Sequence, residues 1–448
     1  MPLIDRPRAR AFFLALVLCV LLAGDAWRYT IGWWGYGVLV GLIGAASVWM
    51  LVAQRSRWRF MNLPNPLVAF LALATLSILW SFYPGATAIG LAATWLTAIV
   101  ALALAVTYSW PEILRGLASA LRVILGLSFV FELYVALIVR GPILPLVPSP
   151  GIDYAELVTR DKIPLMLYWS RNELFEVFDG GRIQGIVGNS VLLAFVALMG
   201  VIVFALRLFD HESKRRWNIV WLVVSGIALL FTRSATITVA LVAVVVVALA
   251  ILLVRRARTP RERAVTYGAF AAVIAIGVAL ALVFQRTLFS LLGKSEDLTG
   301  RLEIWDKVLT LAGQRPVAGW GWVSHWIPGF APFDDLVFRN GVRQLHAHDA
   351  WIDIFFQLGI IGLVVFGALA LSTLARSFAL AVDHPQSSPG APGQYRVHEL
   401  LPVLVLVGLL VQSIAESRLL VEFGFAWLVL TAVKTKIPDA AAQGVPLR

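Results

Sequence analysis

The stretch Leu345-His346-Ala347-His348-Asp349-Ala350-Trp351-Ile352-Asp353-Ile354-Phe355-Phe356-Gln357-Leu358-Gly359-Ile360-Ile361-Gly362-Leu363 decides how the whole chain is read. Its opening residues carry two histidines and a carboxylate. The run from Ala350 onward is apolar enough to enter hydrocarbon, with one further carboxylate, Asp353, a turn inside. A long polar loop becomes a membrane helix at this point. Ionisable groups gathered at such a boundary mark a functional site, because hydrocarbon solvates charge poorly.

The rest of the chain repeats the apolar half of that pattern. Of 448 residues 60% are hydrophobic and only 14% charged, and the mean hydropathy is +0.83, beyond what a soluble domain carries. Apolar stretches of the length that crosses a bilayer, roughly 17–25 residues, lie near 11–24, 33–53, 64–82, 86–106, 114–139, 186–206, 217–232, 235–254, 264–285, 350–374, 399–415 and 419–433. The expected fold is all-α, a single polytopic integral membrane domain over 1–448 with about twelve transmembrane helices.

The net charge of +11 would point to nucleic acid in a soluble protein, but its distribution has another cause. Basic clusters fall on alternate loops, among them Arg6/Arg8/Arg10, Arg55/Arg57/Arg59, Arg255/Arg256/Arg258/Arg261/Arg263 and Lys434/Lys436/Arg448. Twelve spans with both termini inside place about 22 basic and 8 acidic groups on one side, against about 15 and 18 elsewhere. That is the positive-inside asymmetry, and it orients both ends of the chain to the cytoplasm. No nucleic-acid partner is expected, and membrane lipids are. The sole cysteine, Cys19, sits in the first apolar stretch, so neither a disulfide framework nor a thiol metal site is available. Three arginines ahead of Phe12–Ala23 also fit a cleavable signal peptide; the regular topology that continues from them favours an uncleaved first span.

In this orientation two outside loops are long, 140–185 and 286–349, the second between the ninth and tenth spans. The first holds Tyr154, Tyr168, Trp169, Phe175 and Phe178, the second Trp305, Trp320, Trp322, Trp326, Phe330 and Phe338. Aromatics mixed with charge predict short amphipathic helices at the outer interface. One is read from Leu302, Trp305 and Leu309, at helical spacing and ended by Pro316. No P-loop is present, and no interrupted helices recur in matching halves. The clearest ionisable residues within spans are Glu132 and Arg122, each readable as a structural partner or as a proton relay.

Arg182, Arg233 and His348 each stand just ahead of a helix returning inward. A helix N-terminus favours anions, and arginine's fork suits phosphate, so convergence of the three would form a pocket for a phosphorylated group. The bland readings are that Arg233 snorkels or pairs with Glu416, and that Arg182 only accompanies turn-forming glycines. His346 and His348 suggest a metal pair, but zinc needs further ligands and only Asp349, Asp353 or His325 are on offer, so no metal is expected. A histidine acting as base or hydrogen-bond donor fits better. Asp349 and Asp353, four apart on one helical face, could orient the imidazole or the acceptor.

Thr299-Gly300-Arg301-Leu302-Glu303-Ile304-Trp305, Arg315-Pro316-Val317-Ala318-Gly319-Trp320-Gly321, His346-Ala347-His348-Asp349-Ala350-Trp351-Ile352 and Leu358-Gly359-Ile360-Ile361-Gly362 together resemble the O-antigen ligase and polymerase superfamily. Its pattern is an arginine before a tryptophan-bearing helix, a Pro-x-x-Gly-x-Gly turn, and a His-Asn opening a helix with Gly-x-x-Gly. The resemblance implies transfer of a glycan from a polyprenyl-pyrophosphate carrier to a glycan or lipid acceptor, inverting and without metal or cofactor, on the outer face of the bacterial inner membrane. By position, His348, Arg301 and Arg233 look like the catalytic residues, with Arg182, His346, Asp349, Asp353 and Trp305 around the substrate. Asp349 stands where the family usually has asparagine, an anion beside the histidine. Ligase and polymerase differ only in the acceptor, which stays open. A lipid-linked sugar flippase or transporter, needing residues such as Glu132, is the reading from another class, and a structural membrane subunit is a third.

Overall fold

The computed structural model describes residues 6–147, 163–210, 214–283, 301–334, 336–339, 342–383, 386–388, 391–392 and 395–437. Each of the twelve apolar stretches falls on a helix: α1 (Pro7–Leu22), α2 (Gly24–Ala53), α3 (Asn65–Leu76), α4 (Pro84–Thr107), α5 (Trp110–Tyr134), α6 (Ser190–Leu208), α7 (Arg215–Thr232), α8 (Ala235–Arg256), α9 (Pro260–Val283), α11 (Ala350–Val382), α12 (Leu401–Gln412) and α13 (Glu422–Lys436). The amphipathic helix α10 (Arg301–Ala312) lies between α9 and α11. Two short two-stranded ribbons, Phe338–Arg339 with Val342–Arg343 and Gln386–Ser388 with Ala391–Pro392, complete the described elements.

Six of the described helices, α2, α4, α5 with its extension to Val139, α6, α8 and α11, are long and apolar enough to cross a membrane unaided. Their outward faces stay apolar: Val123, Leu127 and Val130 on α5, and Val239, Val242 and Leu249 on α8, are exposed at helical spacing. A surface so rich in exposed large hydrophobic residues is that of a polytopic membrane protein. Behind it α6 is enclosed, with Leu193 to Met199 almost wholly buried.

Polar contacts gather at the two ends of the bundle. At one end Arg10 pairs with Glu112 at 2.8 Å, Arg255 lies 3.6 Å from Glu399, and Lys436 donates to the Leu63 carbonyl. Because Arg255 ends α8 while Glu399 precedes α12, these two helices run antiparallel. Arg233, just before α8, therefore sits at the same end as Glu416, just after α12. At that second end Glu132 of α5 accepts hydrogen bonds from the Gln184 and Gly185 backbone N–H groups at 2.8 and 2.7 Å and from Ser170 at 2.9 Å. Each of its oxygens is engaged in anchoring the 170–185 loop.

The second long loop does not stay on the surface. Trp322 is fully buried; its backbone N–H donates to Ser77 Oγ at 3.0 Å and its indole N–H to Thr94 Oγ1 at 2.9 Å. Phe70, which also packs against Phe366 and Phe425, meets its ring edge-on. Trp320 and Trp326 are buried as well. The expectation that these tryptophans lie at the interface is thus corrected: for Trp322, and for Trp320 whose indole N–H donates to the Leu311 carbonyl at 3.0 Å, a partner for the N–H lets the ring's large apolar area be buried. In the first loop Trp169 is likewise buried, donating to the Ile186 carbonyl, whereas Phe175 and Phe178 are exposed. Tyr154, Thr299 and Gly300 lie outside the described residues.

The inserted segment explains two of the motifs. Helix α11 is broken at Gly359 (φ 61°, ψ −160°), which frees backbone groups at a depth where hydrocarbon offers no partner. Residues 316–321 supply them: Ile360 N–H donates to the Pro316 carbonyl at 2.8 Å and Gly321 N–H to the Gln357 carbonyl at 2.9 Å. A side chain at Gly359 would collide with the Val317 carbonyl, and one at Gly319 with the Gln357 backbone. The Pro-x-x-Gly-x-Gly turn and the Gly-x-x-Gly helix are the two halves of one close contact.

Candidate active site

Asp349 caps α11. Its carboxylate accepts from the Trp351 and Ile352 N–H groups at 2.8 and 3.0 Å, the task an asparagine performs equally well. Capping fixes where the helix begins and leaves His348 immediately outside it, in a left-handed conformation (φ 55°) that non-glycine residues adopt only when their surroundings hold them there. Three contacts hold the His346–His348 turn from behind. Trp305 of α10 donates to the Ala347 carbonyl at 3.0 Å, fully buried Asp353 accepts from the Ala347 N–H at 3.1 Å, and the His346 Nδ1 accepts from the His348 N–H at 3.0 Å. Asp353 also accepts from Ser417 Oγ, which ties the turn to the segment after α12. Neither Asp349 nor Asp353 touches an imidazole; both position the turn that carries one.

The carboxylate that does meet His348 is Glu416. Its Oε2 lies 3.2 Å from His348 Nδ1 and its Oε1 3.0 Å from Arg301 Nη2, so one carboxylate bridges the two predicted catalytic residues. The other ring nitrogen, Nε2, is 3.1 Å from Gln344 Oε1. Burial raises the Glu416 pKa, but His348, Arg301 and Arg418 outweigh it and hold the group below the usual carboxylate range. His325 stacks on His346, and His346 packs against His348, with ring centroids 4.9 and 4.1 Å apart. Burial, then neighbouring positive charge, lowers the His325 pKa to about 3 and keeps His346 well below its ordinary value. Both rings are neutral at physiological pH.

A second ionic group continues from the same turn. Arg418 pairs with Glu422 at 2.6 Å and approaches Asp25 at 3.7 Å, and Arg28 pairs with Asp25 at 2.6 Å and Glu422 at 2.7 Å. The site therefore sets Arg28, Arg301 and Arg418 against Asp25, Glu416 and Glu422, with the histidines beside them.

Arg182 and Arg233 form a separate grouping at the same end. Ile183 N–H donates to the Phe231 carbonyl at 3.2 Å, and Arg233 Nη1 to the Val177 carbonyl at 2.9 Å. Arg233 does not pair with Glu416, whose oxygens meet Arg301 and His348. Among the described residues no hydrogen bond or ion pair joins Arg182 or Arg233 to His348. The structure thus brings Arg301, His346, His348, Asp349, Asp353 and Trp305 together, and Arg182 with Arg233 beside them on one end of the bundle.

Sequence reasoning missed Glu416 as the partner of His348 and missed Arg28, Arg418 and Gln344. The Asp349 cap was missed as well, although an aspartate directly before an apolar run is an N-cap signal. Nothing local marks Glu416, 68 residues beyond His348.

His346, His348 and Glu416 bring their ligand atoms within 4.8 Å of one another, so the third donor beside the two histidines is Glu416 and not the Asp349, Asp353 or His325 that the sequence offered. The fit is poor. Glu416 is already held by a guanidinium, both His348 ring nitrogens face other partners, and His346 Nδ1 is taken by a backbone N–H.

Residues 219–367, about a third of the chain, match the protein family described as O-antigen ligase. A 143-residue stretch is 29% identical to "Exopolysaccharide production protein ExoQ" of Rhizobium meliloti (strain 1021), covering 31% of this chain and 32% of that protein. The alignment thus spans about a third of the relative it matches. The family match takes in α10, the inserted 316–326 segment, the His346–His348 turn and the break in α11, and both matches support the resemblance to the O-antigen ligase and polymerase superfamily.

Proposed function

We propose that the protein is a glycosyltransferase of bacterial surface polysaccharide synthesis. It takes a glycan from a polyprenyl-pyrophosphate carrier and joins it to a glycan or lipid acceptor at the outer face of the cytoplasmic membrane. The observation that carries this is the Arg301–Glu416–His348 chain, where one carboxylate holds a phosphate-suited arginine and a histidine side by side. Twelve spans with both termini cytoplasmic would put this end of the bundle outside, with the basic loop clusters inside.

In the proposed step the anomeric C–O bond breaks and its electron pair leaves on the pyrophosphate oxygen, where Arg301, with Arg233 from the neighbouring turn, stabilises the developing charge. The acceptor hydroxyl oxygen forms the new bond to the anomeric carbon from the opposite face, inverting it. Its proton passes to the lone pair of His348 Nε2, in the tautomer whose Nδ1–H donates to Glu416, once the Gln344 amide oxygen that faces Nε2 turns aside. Glu416 is a positioning residue: by holding Nδ1 it fixes which ring nitrogen faces the acceptor. No part of this step requires a metal or other cofactor. Arg182 and His346 border the substrate, and Asp349, Asp353 and Trp305 hold the turn that presents His348.

A flippase or transporter needs Glu132 as a mobile ionisable group, and its engagement with Gln184, Gly185 and Ser170 favours an anchoring role instead. The test is incubation of purified protein with lipid-linked glycan and candidate acceptors in chelator, comparing the native chain with His348→Ala. Carrier consumption by the native chain alone supports the transferase, with a product ladder for a polymerase and a single addition for a ligase. Equal consumption by both would refute it.

A further inference from the structure

An open groove of about 720 Å³ runs along α10 on the side away from its buried stripe. One wall is polar: Asp306, Thr310 and Gln314 recur every fourth residue, all three exposed. Among the described residues no hydrogen bond or ion pair engages their side chains. The facing wall is mostly apolar, with Ala331, Pro332 and Leu336 beside the ion-paired Asp334. Ile304, Val308 and Ala312, on the opposite side of the helix, are buried against the outer-end core, so α10 is fixed and the groove with it.

The groove points away from the reaction centre. Arg301, the first residue of α10, meets Glu416. Asp306 lies about 7–8 Å along the axis and Thr310 about 13–14 Å, with Gln314 in the turn just past the helix end. Of its other charges, Lys307 pairs with Glu303 at 2.8 Å and Asp334 with Arg343 at 3.4 Å, which leaves the Asp306 carboxylate as the one lining charge without an ion pair among the described residues. Phosphate would call for free guanidinium groups, and an acyl or prenyl chain for two apolar walls. A row of free hydrogen-bonding groups opposite an apolar wall suits a saccharide, whose hydroxyl rim and C–H face have the same two characters.

We propose that this groove binds the glycan of the lipid-linked substrate, extending from the sugar that reacts at His348 and Arg301. The proposal rests on the transferase reading above. It is tested with the full chain and two donors, a polyprenyl pyrophosphate bearing a complete repeat unit and one bearing only its first sugar, comparing native protein with the Asp306→Ala/Gln314→Ala double variant. The expected result is a KM raised about tenfold for the complete donor, with kcat for both donors and KM for the short donor unchanged. In parallel, saturation-transfer NMR with the repeat oligosaccharide released from its carrier should detect binding to native protein and its loss in the variant. Equal KM values for variant and native, or the same rise for both donors, overturns the groove assignment. Absence of turnover by native protein refutes the transfer reaction instead, and the NMR comparison then decides the groove by itself.

Discussion

Replacing Glu416 by glutamine isolates the feature that joins the arginine and the histidine. The carboxylate accepts two charge-assisted hydrogen bonds, at 3.0 Å from Arg301 and 3.2 Å from His348, and such bonds contribute about 1.5–3 kcal/mol each. The three side chains are 12–20% exposed, so water takes up part of any loss and the lower end applies. Glutamine keeps one oxygen acceptor and so forfeits one bond, about 1.5 kcal/mol, which corresponds to roughly a tenfold fall in kcat. Alanine forfeits both, about 3 kcal/mol, for a fall on the order of a hundredfold. The assay is steady-state turnover of lipid-linked glycan, with detergent-state melting as a control and the pH–rate profile as a second readout. A residue that orients the imidazole changes that profile, whereas one that merely holds the fold does not. Native kcat and an unchanged profile in Glu416→Gln would refute this account of the carboxylate.

Asp349→Asn should leave turnover within twofold and melting nearly unchanged, since asparagine caps as well, while Asp349→Ala should cost about 1 kcal/mol of stability, read as a lower melting temperature. Gly359→Ala should lower the yield of folded protein sharply, because its methyl group meets the Val317 carbonyl across a contact that cannot open without unpairing residues 316–321; folded yield by size-exclusion fluorescence checks it. His346 and His325 have folded pKa values below that of the unfolded chain, near 6.5. The unfolded state therefore binds the extra protons, and stability is full above about pH 6.5 and falls as the pH drops below it. Melting temperature between pH 7.5 and 5 should show that decline, and His346→Asn should flatten it. Glu416, held low, keeps its contribution throughout this window and loses it only at more acid pH.

The apolar helices were legible because hydrocarbon imposes one pattern on every helix that crosses it: the apolar stretches read from sequence all recur as helices, six of those described being long and apolar enough to cross a membrane. Helix α10 was also legible, but not its orientation. Leu302 and Leu309 are exposed, and the buried stripe is Ile304, Val308 and Ala312. That stripe packs in one cluster with Trp320, Trp326 and Phe356, a set of contacts between distant segments that helical spacing does not reveal. The motif residues come together in the structure, yet their glycines answer to a backbone contact between segments some 40 residues apart, which spacing alone does not disclose. Glu416 was invisible as a partner for a similar reason. It meets Arg301 across 115 positions and His348 across 68, and only the antiparallel packing of the helices brings them to one end.

Polyprenyl pyrophosphate released by purified protein from a glycan-bearing carrier, measured against glycosidic bonds formed, tests the central claim most directly. The account predicts one pyrophosphate released per bond by the native chain, and release reduced at least a hundredfold in both His348→Ala and Arg301→Ala. Bond formation in either variant at the native rate, or release of the carrier as a monophosphate, would contradict it.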